Sequence, residues 1–136
     1  LILAIISFTF IVYKNEKNNI KLGEKYVEAG LNLSLNQKEK AKKIYEEIIY
    51  SKNNFYSILA LNAIVEKKLV KDKKKILEFF EIVEKSVSLK SQKDLISLKK
   101  ALFLIKEADI QNGNVLLKEL IKNDSSLKPI AQEILK

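Results

Sequence analysis

The sequence predicts an all-α protein made of paired helices. Apolar residues recur three and four positions apart along most of the 136 residues, which is the period of an amphipathic helix. No stretch alternates apolar and polar residues for long enough to form a strand. Glycine and proline, the residues that most often interrupt helices, total only four. Short polar turns divide the helical stretches into successive pairs, which indicates stacked helical hairpins.

The first element is an apolar run, Leu1–Tyr13, that stops at the polar stretch Lys14–Asn19. A helix that spans a bilayer needs about 20 apolar residues, so we expect the first turns of this helix to lie upstream of residue 1. A signal peptide would place small residues directly before its cleavage site, whereas here Phe10–Tyr13 run straight into Lys14. The sequence therefore predicts a truncated transmembrane helix, with a buried N-terminal helix of a soluble fold as the alternative.

Domain boundaries follow from this interpretation. Residues 1–19 are predicted to be the transmembrane anchor with a juxtamembrane linker, and residues 20–136 a helical repeat domain. Capping residues and changes in the apolar period divide that domain into helices. In chain order they are Ile20–Leu35, Asn36–Tyr50, Asn54–Lys71, Asp72 to the loose stretch Ser86–Lys90, Gln92–Ile110, Val115–Lys122 and a short last helix that ends at Lys136.

Several of these boundaries rest on residues that favour helix ends. Asn36, with Glu39 three residues later, is typical of a capping box that starts the second helix. Asn54 and Asp72 are predicted N-caps of the third and fourth helices. Pro129 suits the first turn of the last helix, where its missing N–H costs nothing.

The helical pairs also contain an internal repeat. Within each unit the order is small, small, large, large, and only Lys75 departs from it. The four extra residues of the second interval are expected in the loop Ser86–Ser91, where an insertion costs little. The repeat-packing positions Ala29, Ala41, Tyr45 and Ile48 recur 34 residues later as Ala63, Lys75, Phe79 and Ile82, and 38 residues after that as Ala101, Gly113, Leu117 and Leu120.

A 34-residue period with these positions resembles the tetratricopeptide repeat. The aromatic residue of the first helix, the helix-terminal glycine and the closing proline of that family are absent, so the repeats would be degenerate. The resemblance implies an α-solenoid of about three hairpins followed by a short C-terminal helix. Small residues would let the two helices of a pair approach closely, and the large ones would fill the space between hairpins.

With an N-terminal anchor before the repeats, the chain resembles the bacterial tetratricopeptide-like family that includes the ancillary subunit of the Sec translocon. That resemblance implies a single-span protein of the bacterial inner membrane with its repeat domain in the periplasm. It further implies a non-enzymatic scaffold whose partners are translocon subunits, periplasmic chaperones or secreted polypeptides. A homo-oligomer is left open.

In repeats of this kind the first helix of each pair lines the concave face, which gives a candidate protein-binding surface. Its apolar members could equally be core residues, and its lysines a solvated face or a clamp for an acidic segment. The candidates are Tyr26, Gly30, Leu33, Ser57, Ile64, Lys67, Lys68, Leu98, Ile105 and Lys106.

Composition argues against catalysis. The chain has no cysteine and no histidine, so thiolate chemistry, the commonest metal ligand and the usual general base at neutral pH are all missing. No glycine-rich phosphate loop and no serine with a base partner is present. The sequence thus predicts no catalytic, cofactor-binding or metal-binding residues.

The formal charge of +8 leaves two rival interpretations. A soluble basic helical domain could bind nucleic acid, but all 25 basic residues are lysines, which lack the planar fork of arginine that reads phosphates and bases. No aromatic residues are interleaved with the cluster Lys71–Lys75. We therefore expect no nucleic acid partner. The second rival is a structural helical bundle that oligomerises.

Overall fold

The computed structural model describes the backbone of residues 2–136 and the side chains of residues 16–136. Within that part the chain folds into seven α-helices without a strand, so the all-α prediction is confirmed. In chain order the helices are α1 (Ile2–Ser34), α2 (Lys38–Tyr50), α3 (Tyr56–Glu66), α4 (Lys73–Ser86), α5 (Lys90–Lys106), α6 (Ile110–Lys122) and α7 (Lys128–Ile134).

The N-terminal helix corrects the predicted localisation. Residues 14–19, predicted to be a linker, belong to the single helix α1. Across the described residues no helix combines the length and the apolarity needed to cross a membrane. This finding contradicts the prediction of a single-span inner-membrane protein with a periplasmic domain. Leu1 and the side chains of residues 2–15 lie outside the described part.

The helices are arranged as successive hairpins. Each helix packs on the next one along the chain, and in addition α1 contacts α3 and α2 contacts α4. Contacts confined to near neighbours in sequence are what stacked hairpins make. The fold therefore consists of the pairs α1/α2, α3/α4 and α5/α6 followed by α7, and it is compatible with a helical repeat.

The apolar core divides into two clusters that meet at α5. The first cluster contains buried apolar side chains of α1 to α4, Val87 of the α4–α5 connection, and Ile96 and Phe103 of α5. The second contains Leu98 and Ala101 of α5 with the buried residues of α6 and α7. Because α5 is apolar on both of these faces, it joins the two halves of the protein.

Left-handed residues follow five of the helices, and none of these residues is glycine. At the end of α5, the backbone N–H of Asp109 donates to the carbonyl oxygen of Leu104 at 2.8 Å, which is the bond of a Schellman cap. Ala108 takes the left-handed conformation in between, with φ of 60°. The same cap, with a positive φ at the turning residue, occurs at Asn36, Lys68, Ala108 and Asp124.

These caps explain most differences between predicted and observed helix ends. Asn36 terminates α1 and does not cap α2, which starts at Lys38. Residues 111–114, which the predicted helices Gln92–Ile110 and Val115–Lys122 leave as a connection, are helical, because the chain reverses earlier at the Ala108 cap. The α3 N-terminus is capped by Asn53, whose Oδ1 accepts from two backbone N–H groups, and not by Asn54. The predicted Asp72 cap of α4 is confirmed by its bond from the N–H of Lys74 at 2.9 Å.

In the first and third hairpins the repeat-packing positions are buried. The positions at which the paired helices approach each other are small in both hairpins: Ala29 and Ala41 in the first, Ala101 and Gly113 in the third. The helices of each pair therefore pack tightly. All eight of these positions are buried: Ala29, Ala41, Tyr45, Ile48, Ala101, Gly113, Leu117 and Leu120.

The middle hairpin follows a register that is one residue later. Phe79 is fully buried, but Ala63, Lys75 and Ile82 are only half-buried. The fully buried positions that correspond to the outer hairpins are Ile64, Ile76, Phe80 and Val83. Equivalent buried positions of the first and second hairpins are therefore one residue further apart than the predicted period of 34.

Bulky residues at the close-approach positions account for the loose middle pair. Ile64 and Ile76 stand where the outer hairpins have alanine or glycine, and α3 and α4 pack less closely than the helices of either outer pair. Lys75 turns away from this contact, and its Nζ lies 5.1 Å from the ring centroids of both Tyr50 and Phe79. A lysine is accommodated there because its stem covers aromatic surface while its ammonium group reaches Glu78.

The extra length in the third unit lies in a helix. The connection between α4 and α5 is only the three residues 87–89, so the predicted insertion in the Ser86–Ser91 loop is wrong. Instead α5 has 17 residues where α3 has 11. Aligned on Ile64 and Ala101, α5 is three residues longer than α3 at each end. Near its N-terminus, Asp94 forms an ion pair with Lys90 at 2.9 Å.

Two helical glycines provide a matched test of close packing. A Cβ on Gly113 would lie 2.6 Å from Cγ1 of Ile105 and 2.9 Å from the carbonyl oxygen of Ala101, whereas a Cβ on Gly30 would meet nothing within 4 Å. We expect Gly113→Ala to lower the free energy of unfolding by about 1–2 kcal/mol, since overpacking outweighs the gain in helix propensity. Gly30→Ala should raise it by about 0.5–1 kcal/mol. Urea denaturation measures both, and a stabilised Gly113→Ala would contradict the close approach of α5 and α6.

Candidate functional site

A groove between α1 and α3 has several of the predicted binding residues in its wall. It has a volume of about 760 Å³, and we call it the α1/α3 groove. One wall comes from α1 and the other from α3, while Tyr45 of α2 forms part of its floor. Its lining residues are Tyr26, Gly30, Leu33, Ser34, Lys38, Tyr45, Leu59, Asn62, Ala63, Glu66, Lys67 and Leu69.

Aromatic contacts hold the floor of this groove in place. The rings of Tyr26 and Tyr45 pack edge to face with centroids 5.5 Å apart, and Tyr56 lies 6.5 Å from Tyr26. Burial, together with the nearby phenol of Tyr26, raises the pKa of Tyr45 above its ordinary value. The Tyr45 hydroxyl therefore stays protonated at neutral pH, and the floor carries no negative charge from it.

A second concavity lies between α3 and α5, and we call it the basic cavity. It has two lobes, of about 180 Å³ and about 360 Å³, that share Val65, Phe103 and Lys106. The apolar walls come from α3, the α3–α4 connection, α4 and α5. Lysines at positions 68, 71, 99 and 106 surround them, and the two carboxylates are Glu66 and Glu107.

The groove and the cavity belong to one face of the protein. Asn62 and Glu66 of α3 border both the α1/α3 groove and the smaller lobe of the basic cavity. The first helices of the three hairpins thus line a continuous recessed surface, with α3 as the ridge between its two parts. An extended polypeptide lying across the helices could occupy both.

The predicted concave-face residues divide between this surface and the core. Those that line it are Tyr26, Gly30, Leu33 and Lys67 in the α1/α3 groove, and Lys68 and Lys106 in the basic cavity. The other four lie elsewhere. Ser57, Ile64 and Leu98 are buried, and Ile105 is half-buried against Gly113 of α6.

Ser57 has a structural role. Its hydroxyl is fully buried and donates to the carbonyl oxygen of Ile48 at 3.0 Å, at the end of α2. This bond satisfies a polar group that burial would otherwise penalise. The position therefore fixes the α2–α3 connection and does not face a ligand.

Sequence reasoning missed several lining residues, although their spacing carried a signal. In α3 the groove residues Leu59, Asn62 and Glu66 are three and four apart, as one face of a helix requires. The same spacing relates Lys99, Leu102 and Lys106 in α5, which line the basic cavity. The predicted register of α3 was one residue too early, so Ile64 was placed on the face that Ala63 and Val65 occupy.

The recessed surface offers binding groups and no catalytic constellation. Among residues 16–136, no three carboxylates come close enough together to hold a metal ion. Lysine acts on this surface as a flexible point charge. The charged groups that line it are Lys38, Lys67, Lys68, Lys71, Lys99, Lys106, Glu66 and Glu107. The arrangement can hold a ligand by apolar contact, hydrogen bonds and charge.

No protein-family profile, curated protein or solved structure gives a significant match to this chain. The resemblance to the tetratricopeptide-like family therefore stays a prediction from the residues of the repeat.

Proposed function

We propose that this protein is a non-enzymatic helical-repeat scaffold that binds segments of other proteins on the face formed by α1, α3 and α5. The observation that carries the proposal is the continuity of the α1/α3 groove with the basic cavity along three successive hairpins. Stacked hairpins generate extended concave surfaces of this kind, and such surfaces suit extended polypeptides. The identity of the partners as translocon subunits or chaperones is a further prediction that rests on the resemblance alone.

The lining of the α1/α3 groove supports a polypeptide ligand. Tyr26 and Leu33 offer half-buried apolar surface, and Asn62 offers both a donor and an acceptor for a peptide backbone. Gly30 leaves the wall of α1 without a side chain, so a bound chain can approach the helix backbone closely. Aromatic anchors beside adaptable polar groups are typical of protein-binding surfaces.

A blocking variant tests this proposal. Peptides are first selected on the wild-type protein from a phage-displayed random library, and their dissociation constants are measured by fluorescence anisotropy. Gly30→Trp would fill the groove from a position with open space around it, so we expect a loss of affinity of at least about tenfold. Leu31→Trp is the matched control, because Leu31 is 59 % exposed, lies about 100° around α1 from Gly30 and does not line the groove.

Nuclear magnetic resonance of the labelled protein locates the same peptides. Shift changes confined to α1, α3 and α5 would agree with the proposal. Two results would overturn it: equal binding by the Gly30→Trp and Leu31→Trp variants, or shift changes confined to α2, α4 and α6.

A further inference from the structure

The middle hairpin creates the basic cavity by its loose packing. Ile64 and Ile76 replace the small residues of the other hairpins, so α3 and α4 are held apart. The larger lobe opens at this place and is lined by Val65, Val70 and Ile76. The cavity is thus a consequence of the residues that break the repeat.

The rim of the cavity carries an excess of positive charge. Lys68, Lys71, Lys99 and Lys106 face the two carboxylates of Glu66 and Glu107. In the part of the chain that the structure describes, ion pairs engage other lysines, and none involves these four. A low-dielectric wall beside unpaired ammonium groups raises the local concentration of anions.

The walls of the cavity are apolar and deep enough for side chains. Phe103 and Val65 are shared by both lobes, and Leu102 of the smaller lobe is 43 % exposed. Lobes of about 180 and 360 Å³ are of the size that pockets for aliphatic or aromatic groups have. A ligand for this site needs apolar groups as well as negative charge, which a simple polyanion lacks.

We infer that the basic cavity binds an acidic segment of a partner protein in which aspartate or glutamate residues flank aliphatic side chains. The carboxylates contact the lysine rim, and the aliphatic groups occupy the space between Val65, Leu102 and Phe103. This inference rests on the proposed function, since it assigns a partner class to one part of the same surface.

Synthetic peptides of matched length test the inference by fluorescence anisotropy. The panel contains a peptide with glutamates alternating with leucines, its glutamine analogue, a glutamate peptide with serine in place of leucine, and a single-stranded oligonucleotide. We expect the glutamate–leucine peptide to bind at least about tenfold more tightly than every other member. An amidated C-terminus on each peptide removes any contribution from a terminal carboxylate.

Charge-neutralising pairs show where the peptide binds. The double variant Lys68→Gln/Lys106→Gln should weaken binding of the glutamate–leucine peptide at least about tenfold. The control Lys118→Gln/Lys122→Gln removes the same charge from exposed positions on α6 and should change binding less than about twofold, because salt screens charges beyond about 10 Å at 0.1 M ionic strength. Leu102→Ser should weaken the glutamate–leucine peptide and leave the glutamate–serine peptide unchanged.

Several outcomes overturn the inference. Equal losses in the two double variants would mean attraction by overall charge, and preference for the oligonucleotide would mean a nucleic-acid surface. Equal affinity for the glutamine analogue would exclude an acidic partner. It would leave the proposed function intact, provided that Gly30→Trp still weakens binding of the library peptides. If the Gly30→Trp test fails while the glutamate–leucine peptide binds as expected, the acidic site stands alone and the wider scaffold is wrong.

Discussion

Ile76→Ala is expected to lower the free energy of unfolding by about 2–5 kcal/mol, whereas Lys75→Ala is expected to lower it by about 1 kcal/mol or less. Ile76 is 5 % exposed and packs into the first core cluster, so its truncation leaves a cavity between α3 and α4. Lys75 is half-buried on the outside of α4, and its loss removes only contacts with Tyr50, Phe79 and Glu78. Urea denaturation of both variants measures the difference.

This pair of variants decides the register of the middle hairpin. The 34-residue period places position 75 at the close helix contact, and the structure places position 76 there. Similar losses for the two variants, or a larger loss for Lys75→Ala, would support the predicted register against the observed one. Circular dichroism of each variant before denaturation shows whether the helices are intact.

The helices themselves could be predicted because their apolar period is long and regular. The pairing α1/α2 and α5/α6 follows from small residues that occur in register, Ala29 with Ala41 and Ala101 with Gly113. Helix ends were harder to predict, since Lys68 and Ala108 take left-handed conformations for which their side chains have no preference. Glycine is the usual residue there, and without it the sequence gives no signal for the turn.

The middle hairpin shows where pattern matching fails. A search for small residues at a 34-residue interval selects Ala63, but the fold uses Ile64 at that place and turns Ala63 toward the groove. Isoleucine is compatible with the position only because α3 and α4 separate. Such a change in helix spacing involves two residues on different helices, Ile64 and Ile76, and one-dimensional periodicity does not reveal it.

The candidate site could be predicted only where the register was right. On α1 the three predicted positions Tyr26, Gly30 and Leu33 all line the groove, whereas Ile64 on α3 is buried. The cavity between α3 and α5 could not be predicted at all, because it arises from the loose packing of the middle pair. Its lysines could be located on helix faces from the sequence, but the residues on one helix face do not indicate whether a cavity lies between that helix and its neighbours.

Leu117→Ala is expected to lower the stability of α6 and α7 by about 2–5 kcal/mol while leaving that of α2, α3 and α4 nearly unchanged. Leu117 is fully buried in the second core cluster, which contains only residues of α5, α6 and α7. Because stacked hairpins contact only their neighbours, a loss at one end is transmitted weakly to the other. Hydrogen exchange of backbone amides measures this stability helix by helix.

The behaviour of α5 makes this prediction specific. Its Leu98 and Ala101 lose packing when α6 opens, but its Ile96 and Phe103 remain in the first cluster, where Phe103 stacks on Phe80 with centroids 5.8 Å apart. We therefore expect α5 to keep most of its protection while α6 and α7 exchange faster. Lys118→Ala, at the neighbouring exposed position, should change no helix appreciably. An equal loss of protection across all helices would mean that the two clusters unfold as one unit, and α5 would then be part of a single core and not the link between two.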